Sequence, residues 1–359
     1  MEMRVHPQDV LNALRNVRDL SSQRDIVSLG YVKDLEVAGE GRVSFALQMP
    51  NPASPATEQL VKAAQDAVHA LGVGNVQIRL APSMASTGPA GATGAQSRLI
   101  PQVKYTIAVA SGKGGVGKST VAANLAIALM RAGNQVGLMD TDVYGPSVPL
   151  LMGGSNEPHV VEGKIEPPVE YGVKIISMAY FLPKDEAVIW RGPMLHKTIQ
   201  QFLGEVRWGD LDYLVIDLPP GTGDIQLSLS QTIPLTGAVI VSTPQDLALT
   251  VASKAIAMFQ KLHVPILGVI ENMSTYLCPQ CGHQESIFGH GGARAAAAKM
   301  GYAFLGEIPL DTRIRTQSDS GKPVALDDST PYGKPFAEIA AALEAEVAKV
   351  DAEEEITLE

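Results

Sequence analysis

Cysteine and long apolar runs are both scarce in this sequence. Only two cysteines occur among 359 residues, Cys278 and Cys281, which excludes a disulfide framework and is typical of a compartment where thiols stay reduced. No apolar run approaches the roughly 20 residues of a transmembrane helix, and the start MEMRVHPQDV lacks the basic and then apolar order of a secretory signal. We therefore expect a cytoplasmic protein that does not bind a membrane.

Basic residues are fewer than acidic residues in this sequence. The chain has 28 Lys and Arg against 38 Asp and Glu, a formal charge of −10, and this balance disfavours a broad nucleic-acid-binding surface. Hydrophobic residues make up 45% and charged residues 18%, which is ordinary globular usage. The length favours two units, or one large α/β domain with an appendage.

The first part of the chain predicts a small α/β domain over residues 1–81. Its expected elements are a helix over 7–20, strands over 27–37 and 42–49 around the turn Gly39-Glu40-Gly41, a helix over 56–72 and a strand over 76–80. Residues 82–102 are rich in Ala, Gly, Ser, Thr and Pro, which indicates a flexible linker.

Strand-like and helical patterns then alternate over residues 103–350, and the acidic segment 351–359 is expected to be a solvated tail. Such alternation predicts a parallel sheet covered by helices on both faces, with ligand loops at the carboxyl ends of the strands. The strand-like runs are YTIAVA, QVGLMD, YLVID, GAVIVST and ILGVIEN.

A glycine-rich phosphate loop follows the first of these strands. It fits G-x-x-x-x-G-K-[ST] and precedes a helix expected from Val116, so the domain has the order of a P-loop NTPase. The backbone N–H groups of such a loop surround phosphates, while Lys118 pairs with the β- and γ-phosphates of ATP and the Ser119 hydroxyl binds Mg²⁺. A glycine-rich turn without a ligand is the alternative. The candidate nucleotide-binding residues are Gly112, Lys113, Gly114, Gly115, Val116, Gly117, Lys118, Ser119 and Thr120.

Three aspartates stand at strand ends. Asp217 closes YLVID, where a carboxylate can hold Mg²⁺, and the segment 218–224 is expected to sense the γ-phosphate. Asp140 and Asp142 follow another strand, and we assign Asp142 to the attacking water and Asp140 to its support. The alternative for each is a carboxylate that only caps a turn or helix.

The cysteines form a C-x-x-C pair in an expected loop after ILGVIEN. This spacing occurs in zinc, dithiol and iron–sulfur sites, and the last of these normally needs four protein ligands. Two copies of the chain related by a two-fold axis can supply four thiolates, so Cys278 and Cys281 are predicted to hold a bridging iron–sulfur cluster. His283 and His290 are competing ligands for a zinc site.

Taken together, these motifs resemble the Mrp family, also called ApbC in bacteria, of ATP-binding iron–sulfur carriers within the MinD, ParA and NifH group. The resemblance covers about 250 residues and rests on a specific set of motifs. They are GKGGVGKST, DTDVYGPSVP, WRGPM at 190–194, DLPPGTGD, STPQD at 242–246, ENMS at 271–274, C-P-Q-C and GEIPLD at 306–311.

The resemblance implies a slow ATPase that uses Mg²⁺, dimerises, and transfers a cluster, expected as 4Fe-4S, to apo-proteins, with scaffold proteins as further partners. It implies that Lys113 acts with Lys118 in catalysis by reaching the nucleotide of the partner subunit. It also implies adenine recognition by Asn272, with Pro309 nearby. Arg191 matches the family without an assigned role, and a structural ion pair is its alternative.

The first 81 residues resemble the iron–sulfur assembly domain often fused ahead of such ATPases, chiefly through DIVSLGYVKDLEV. That domain often has a cysteine where this chain reads Asn51-Pro52-Ala53-Ser54-Pro55, and Asp-Pro-Glu where it reads Asp19-Leu20-Ser21. We expect a docking or regulatory module rather than a cluster ligand.

A positioning switch of the MinD or ParA kind is the main rival function. Membrane binding by such a switch needs a basic amphipathic C-terminal helix, whereas this chain ends in DAEEEITLE, and DNA binding would need clustered Lys and Arg. A NifH-like reductase has its cluster cysteines far apart in sequence. The C-x-x-C pair favours the carrier.

Overall fold

The computed structural model describes residues 6–18, 25–27, 31–38, 42–49, 55–73, 75–82, 99–154, 156–181, 192–278 and 280–358. The chain divides into two compact units, Met1–Ala92 and Thr93–Glu359. Each unit has its own apolar core among the described residues.

The first unit is a three-stranded sheet with two helices. Its elements are α1 Pro7–Leu14, β1 Val32–Ala38, β2 Arg42–Met49, α2 Pro55–His69 and β3 Asn75–Pro82. Strand β2 lies in the centre, antiparallel to β1 and parallel to β3. Alternate residues Val43, Phe45 and Leu47 of β2 are buried, as the two-residue period of a half-covered strand requires.

The first helix is shorter than the sequence pattern predicts. It ends at Leu14, and the Val17 carbonyl then accepts a hydrogen bond from the Ile26 N–H at 3.0 Å. The expected turn Gly39-Glu40-Gly41 lies outside the described residues. So do residues 19–21 and 51–54, where the sequence differs from the usual pattern of the iron–sulfur assembly domain.

The second unit is built on a nine-stranded sheet. A separate two-stranded ribbon is formed by β6 His159–Val161 and β7 Lys164–Glu166. The strands of the large sheet are β4 Val103–Ala110, β5 Val136–Asp140, β8 Val169–Glu170, β9 Val173–Ser177, β10 Leu211–Asp217, β11 Gly237–Ser242, β12 Ile266–Leu277, β13 Gln284–Glu285 and β14 Phe304–Leu310. Their order is β13-β12-β11-β4-β10-β5-β9-β8, and β14 also pairs with β12.

The central pairs of this sheet are parallel, as predicted, whereas β8 and β13 pair antiparallel with their neighbours at the two ends. Both faces of the sheet are covered by helices. Successive residues of β4, such as Ile107 and Ala108, are buried in separate cores on opposite faces. The helices are α3 Lys118–Arg131, α4 Val148–Leu151, α5 Gly192–Gly204, α6 Asp224–Thr232, α7 Asp246–Lys261, α8 Gly292–Met300, α9 Thr312–Asp319 and α10 Lys334–Leu358.

At each end of this unit, residues that the sequence predicted to be irregular are ordered. Ile100, within the expected linker, is buried in the core under α5 and α7, while residues 83–98 of that linker lie outside the described part. At the other end, α10 continues through the acidic segment to Leu358. Tyr105 on β4 donates a hydrogen bond to Asp351, which ties this helix to the sheet.

Candidate functional site

The phosphate loop joins β4 to α3 at the carboxyl edge of the sheet. Helix α3 begins at Lys118 rather than at Val116, because Gly117 adopts a left-handed φ of 79° that a right-handed helix cannot include. A Cβ at Gly117 would lie 2.3 Å from Asn272 Nδ2, so only glycine fits this close approach. The loop therefore presents backbone N–H groups at the start of a helix of 14 residues, an arrangement suited to phosphate oxygens.

Lys118 and Asp217 form a buried ion pair at the centre of the site. The Lys118 ammonium donates to Asp217 Oδ1 and lies 3.3 Å from Ser119 Oγ. Burial raises the pKa of Asp217, while the Lys118 charge opposes that change. The second oxygen, Asp217 Oδ2, is buried and has no hydrogen-bond partner, which leaves an acceptor for a Mg²⁺-bound water beside Ser119. These residues thus fit a magnesium ion.

Asp140 organises the next loop from within the core. Its carboxylate accepts hydrogen bonds from Ser177 Oγ at 2.9 Å and from the N–H groups of Asp142, Ser147 and Val148 at 3.0, 3.1 and 3.2 Å. Burial, with a smaller contribution from the neighbouring carboxylate of Asp217, raises the pKa of Asp140 to about 7. Asp140 therefore supports the loop that carries Asp142, as its place at the end of a strand allows.

Asp142 lies on the same edge and turns the chain. Its Oδ1 accepts from the N–H groups of Tyr144 and Gly145, both at 3.2 Å. This is the capping arrangement that the sequence left as an alternative to a role in hydrolysis. The second carboxylate oxygen is the one that a catalytic role would use.

The segment after Asp217 packs against the phosphate loop. The Gly221 N–H donates to the Ser111 carbonyl at 3.0 Å, and a Cβ at Gly114 would meet Pro220 at 3.9 Å. The segment 218–224 thus lies directly beside the phosphate loop, and its sensing of the γ-phosphate stays a prediction. Lys113 points instead to the end of β11, where its Nζ lies 3.3 Å from Gln245 Oε1.

Asn272 lies on β12 directly beside the phosphate loop. Its Nδ2 donates to the Val116 carbonyl at 2.8 Å, and the side chain is buried. Pro309 lies on β14, whose Ile308 pairs in register with Asn272. Both residues predicted for adenine recognition are thus at one edge, with Asn272 also supporting the loop itself.

The cysteine segment is a loop, as the sequence predicts, and it forms the tip of a β-hairpin that the sequence pattern did not indicate. Strand β12 continues past Asn272 to Leu277, and Tyr276 and Leu277 pair with Glu285 and Gln284 of β13. The Cys278 N–H donates to the His283 carbonyl and the Gly282 N–H to the Cys278 carbonyl, both at 2.9 Å. This tight turn brings the two free thiols to one end of the hairpin.

The Cys278 thiol lies in surroundings that favour its thiolate form. Hydrogen bonds from the backbone of Gln280 and Cys281, and from the Cys281 side chain, lower the pKa of Cys278. Thiolate is the form that binds metals and acts as a nucleophile. Cys281 is exposed, so the tip is open to solvent or to another protein.

The histidines near the tip are placed differently from what a zinc site needs. His290 Nε2 lies 3.2 Å from Glu307 Oε2 and groups with Glu271 and Glu307. Within the described part of the chain, neither histidine joins both sulfurs in a set of ligand atoms close enough to share one ion. Arg191 lies outside the described residues.

Three further residues of this edge were missed by sequence reasoning. Ser177 donates to Asp140, Gln245 accepts from Lys113, and Glu271 accepts from the N–H groups of Gly291 and Ala293 at 2.9 and 2.7 Å. A polar residue at the end of a buried strand was the available signal for Ser177, and Glu271 stands in the quoted motif ENMS. Gln245 stands in the quoted motif STPQD.

The parallel sheet, the glycine loop before α3 and the carboxylate at the end of β10 define a P-loop NTPase. The chain belongs to a family described as NUBPL iron-transfer P-loop NTPase, whose model matches residues 102–344. A second model, described as iron-sulfur cluster assembly protein, matches residues 7–78.

The relatives of this chain include proteins with the name iron-sulfur cluster carrier protein, two of them from Deinococcus radiodurans and Synechocystis. The one from Deinococcus radiodurans is 47% identical over 321 residues and covers 88% of each chain. The one from Synechocystis is 42% identical over 324 residues, with 88% of this chain and 90% of the relative covered. A solved structure, the nucleotide-binding protein in complex with ADP from Archaeoglobus fulgidus, is 39% identical. Its TM-score is 0.59, and the match covers 68% of this chain and 95% of the other.

Among the helices that the structure describes, none combines the length and the apolar character needed to cross a bilayer.

Proposed function

We propose that this protein is an ATP-dependent iron–sulfur cluster carrier in which two copies hold one cluster between them and deliver it to apo-proteins. The names of the relatives support the cargo, and the ADP complex of the Archaeoglobus fulgidus protein supports the nucleotide. The P-loop NTPase family supports nucleotide hydrolysis.

The observation that carries the proposal is the open hairpin tip with two thiols. Four thiolates are the usual protein ligands of an iron–sulfur cluster, and the whole sequence contains two cysteines. A two-fold axis beside the tip supplies the second pair from another copy. A cluster held at such an exposed edge can be passed on to a client protein.

ATP is proposed to bind at the phosphate loop with Mg²⁺ beside Ser119 and Asp217. When bound, Mg²⁺ would neutralise phosphate charge, and Lys118 would exchange its contact with Asp217 for the β- and γ-phosphates. Asp142 orients the attacking water, so that ATP and water give ADP and phosphate. Lys113 leaves Gln245 to reach the nucleotide of the partner copy, and hydrolysis is slow.

Residues 1–81 are proposed to be a docking or regulatory domain for clients or scaffold proteins, joined by the linker 82–102. The free thiols require a reducing compartment, so we place the carrier in the cytosol. The pairing of His290 with Glu307 favours a shared cluster over a zinc site completed by that histidine.

Anaerobic reconstitution with iron and sulfide tests the proposal. Visible absorbance, iron and sulfide content, and native mass are compared for the parent, for Cys278→Ala and for the control Gln280→Ala, which changes the same tip without removing a thiol. We expect one cluster per two chains in the parent and control, and no chromophore in Cys278→Ala. Tightly held zinc in a single chain would instead favour a structural metal, and a chain that binds neither metal would favour a positioning switch.

A further inference from the structure

One continuous strand connects the phosphate loop to the cysteine hairpin. Strand β12 runs from Ile266 to Leu277, so Asn272 beside the loop and Cys278 at the tip lie on the same stretch of backbone. At about 3.3 Å per residue, six residues span at most about 20 Å. A displacement at the loop therefore has a short covalent path to the thiols.

The phosphate loop lies against this strand at Val116 and Gly117. The Val116 carbonyl accepts from Asn272 Nδ2 at 2.8 Å. A Cβ at Gly117 would lie 2.3 Å from the same nitrogen and 3.8 Å from Met273 Cε, so both side chains occupy the space beside Gly117. Phosphates bind to the N–H groups of this loop, and any change in its backbone is passed first to Asn272.

The residue between this contact and the hairpin has an uncommon backbone. Met273 has a φ of 58°, in the left-handed region that residues other than glycine rarely occupy. The strand is irregular here. Asn272 pairs with Ile308 of β14 and Tyr276 with Leu310, so a step of four residues on β12 is matched by a step of two on β14. Such a bulge bends a strand and changes the direction of the residues beyond it.

Both sides of Met273 are fixed by hydrogen bonds. Asn272 is held by Val116, and Ser274 Oγ donates to the Ile308 carbonyl at 3.2 Å in a buried position. A left-handed residue persists when its surroundings determine it on both sides. Met273 thus lies between one hydrogen bond to the phosphate loop and another to β14.

We propose that Met273 is a positioning residue whose left-handed backbone transmits nucleotide occupancy at the phosphate loop to the direction of the cysteine hairpin. The inference rests on the proposed function and deepens it, since it names the route by which ATP controls the thiol pair. Nucleotide binding shifts Val116 and Gly117, Asn272 follows, and the bulge at Met273 converts that shift into a new direction of Cys278.

The test uses metal-free full-length chain and the rate at which iodoacetamide alkylates Cys278, measured by peptide mass with and without a non-hydrolysable ATP analogue and Mg²⁺. Met273→Gly releases the left-handed constraint. Met273→Asn retains it, because asparagine tolerates this region. The matched control is His263→Gly, at another left-handed residue with a φ of 57° in the turn before β12.

In the parent we expect the analogue to change the alkylation rate by about fivefold or more, the lower range of coupling between two sites. The ratio should fall to about one in Met273→Gly at unchanged nucleotide affinity, and stay at the parent value in Met273→Asn and His263→Gly. A parent ratio retained in Met273→Gly, or lost in Met273→Asn, overturns the inference. A parent chain that binds no nucleotide, or holds no cluster on reconstitution, overturns the proposed function instead.

Discussion

At the scale of single residues, Asp142 combines local structure with proposed chemistry. One oxygen caps the turn through Tyr144 and Gly145, while Asp140 holds the Asp142 N–H from below. A turn cap needs only a side-chain oxygen, whereas orienting and deprotonating water needs a charged carboxylate. Asparagine separates the two roles, because it retains the oxygen and loses the charge.

We therefore predict that Asp142→Asn and Asp142→Ala both lower the ATP hydrolysis rate by about 100-fold or more, the usual size of a general-base contribution. Nucleotide affinity should change little, since the phosphate loop is intact. Steady-state phosphate release and titration with a fluorescent ATP analogue measure the two quantities. Parent turnover in Asp142→Asn would leave the residue as a turn cap.

Cys278 is the second residue whose surroundings set its chemistry. Backbone hydrogen bonds at the hairpin tip lower its pKa, so thiolate is present at a lower pH than for an ordinary cysteine. The effect comes from the turn itself and does not require a bound metal.

The pH dependence of alkylation follows from this direction. In nucleotide-free, metal-free protein, the rate of iodoacetamide labelling at Cys278 should rise with pH. The midpoint of this rise should lie at a lower pH than the midpoint for free cysteine, which is about 8.5. Peptide mapping after timed quenching gives the rate at that position, with free cysteine as the reference thiol. A midpoint at or above the reference would show that the turn does not stabilise the thiolate.

At the scale of secondary-structure elements, the C-terminal helix shows how a distant strand orders an acidic segment. Acidic residues near a helix C-terminus are unfavourable because that end of the helix carries partial negative charge. The Tyr105–Asp351 hydrogen bond offsets this, and burial raises the pKa of Tyr105, so its hydroxyl remains a neutral donor. The ring of Tyr213 packs against Tyr105 with centroids 5.2 Å apart.

Removing that hydroxyl should loosen the end of α10. We expect Tyr105→Phe to lower the free energy of unfolding by about 1 kcal/mol, the usual net value of a hydrogen bond, and to speed hydrogen exchange after Val350. Tyr213→Phe is the control, since it removes the neighbouring hydroxyl and retains the bond to Asp351. Equal exchange in the two variants would contradict the contact.

At the scale of the whole molecule, the proposed cargo site is complete only in a pair of chains. In the proposed dimer each copy would contribute Cys278 and Cys281, and the histidines at the tip do not complete a ligand set with both sulfurs among the described residues. The candidate nucleotide site, in contrast, lies largely within the second unit of a single chain, where Lys118 pairs with Asp217 and Asn272 bonds to the phosphate loop. The two activities thus depend differently on assembly.

A mixed dimer distinguishes cluster binding from nucleotide binding. One tagged parent chain is paired with a differently tagged chain carrying Cys278→Ala and Cys281→Ala, and tandem purification isolates the mixed species. Reconstituted iron per mixed dimer should fall to background, because two thiolates replace four, while ATP binding per chain stays at the parent level. A mixed dimer that retains a full cluster would show that one copy suffices.

The sequence predicted the repeating strand and helix pattern and the positions of the local motifs. GKGGVGKST is recognisable from the local order of glycines and a following helix, and the pair of thiols two residues apart is equally local. The α/β class and the covered parallel sheet followed from hydrophobic periodicity. Element ends were less well predicted, because α1 ends at Leu14 and the left-handed Gly117 delays the start of α3 to Lys118.

The order of amino acids specifies which chemical groups this protein has, and the folded chain specifies which of them meet. Lys118 and Asp217 lie 99 positions apart, and Asn272 and Val116 lie 156 apart, so their contacts exist only because parallel strands end at one edge. The hairpin also depends on pairing between β12 and β13, which extends the strand past Asn272 to the cysteines. Long-range pairing of this kind is set by the packing of the whole sheet, and no local pattern encodes it.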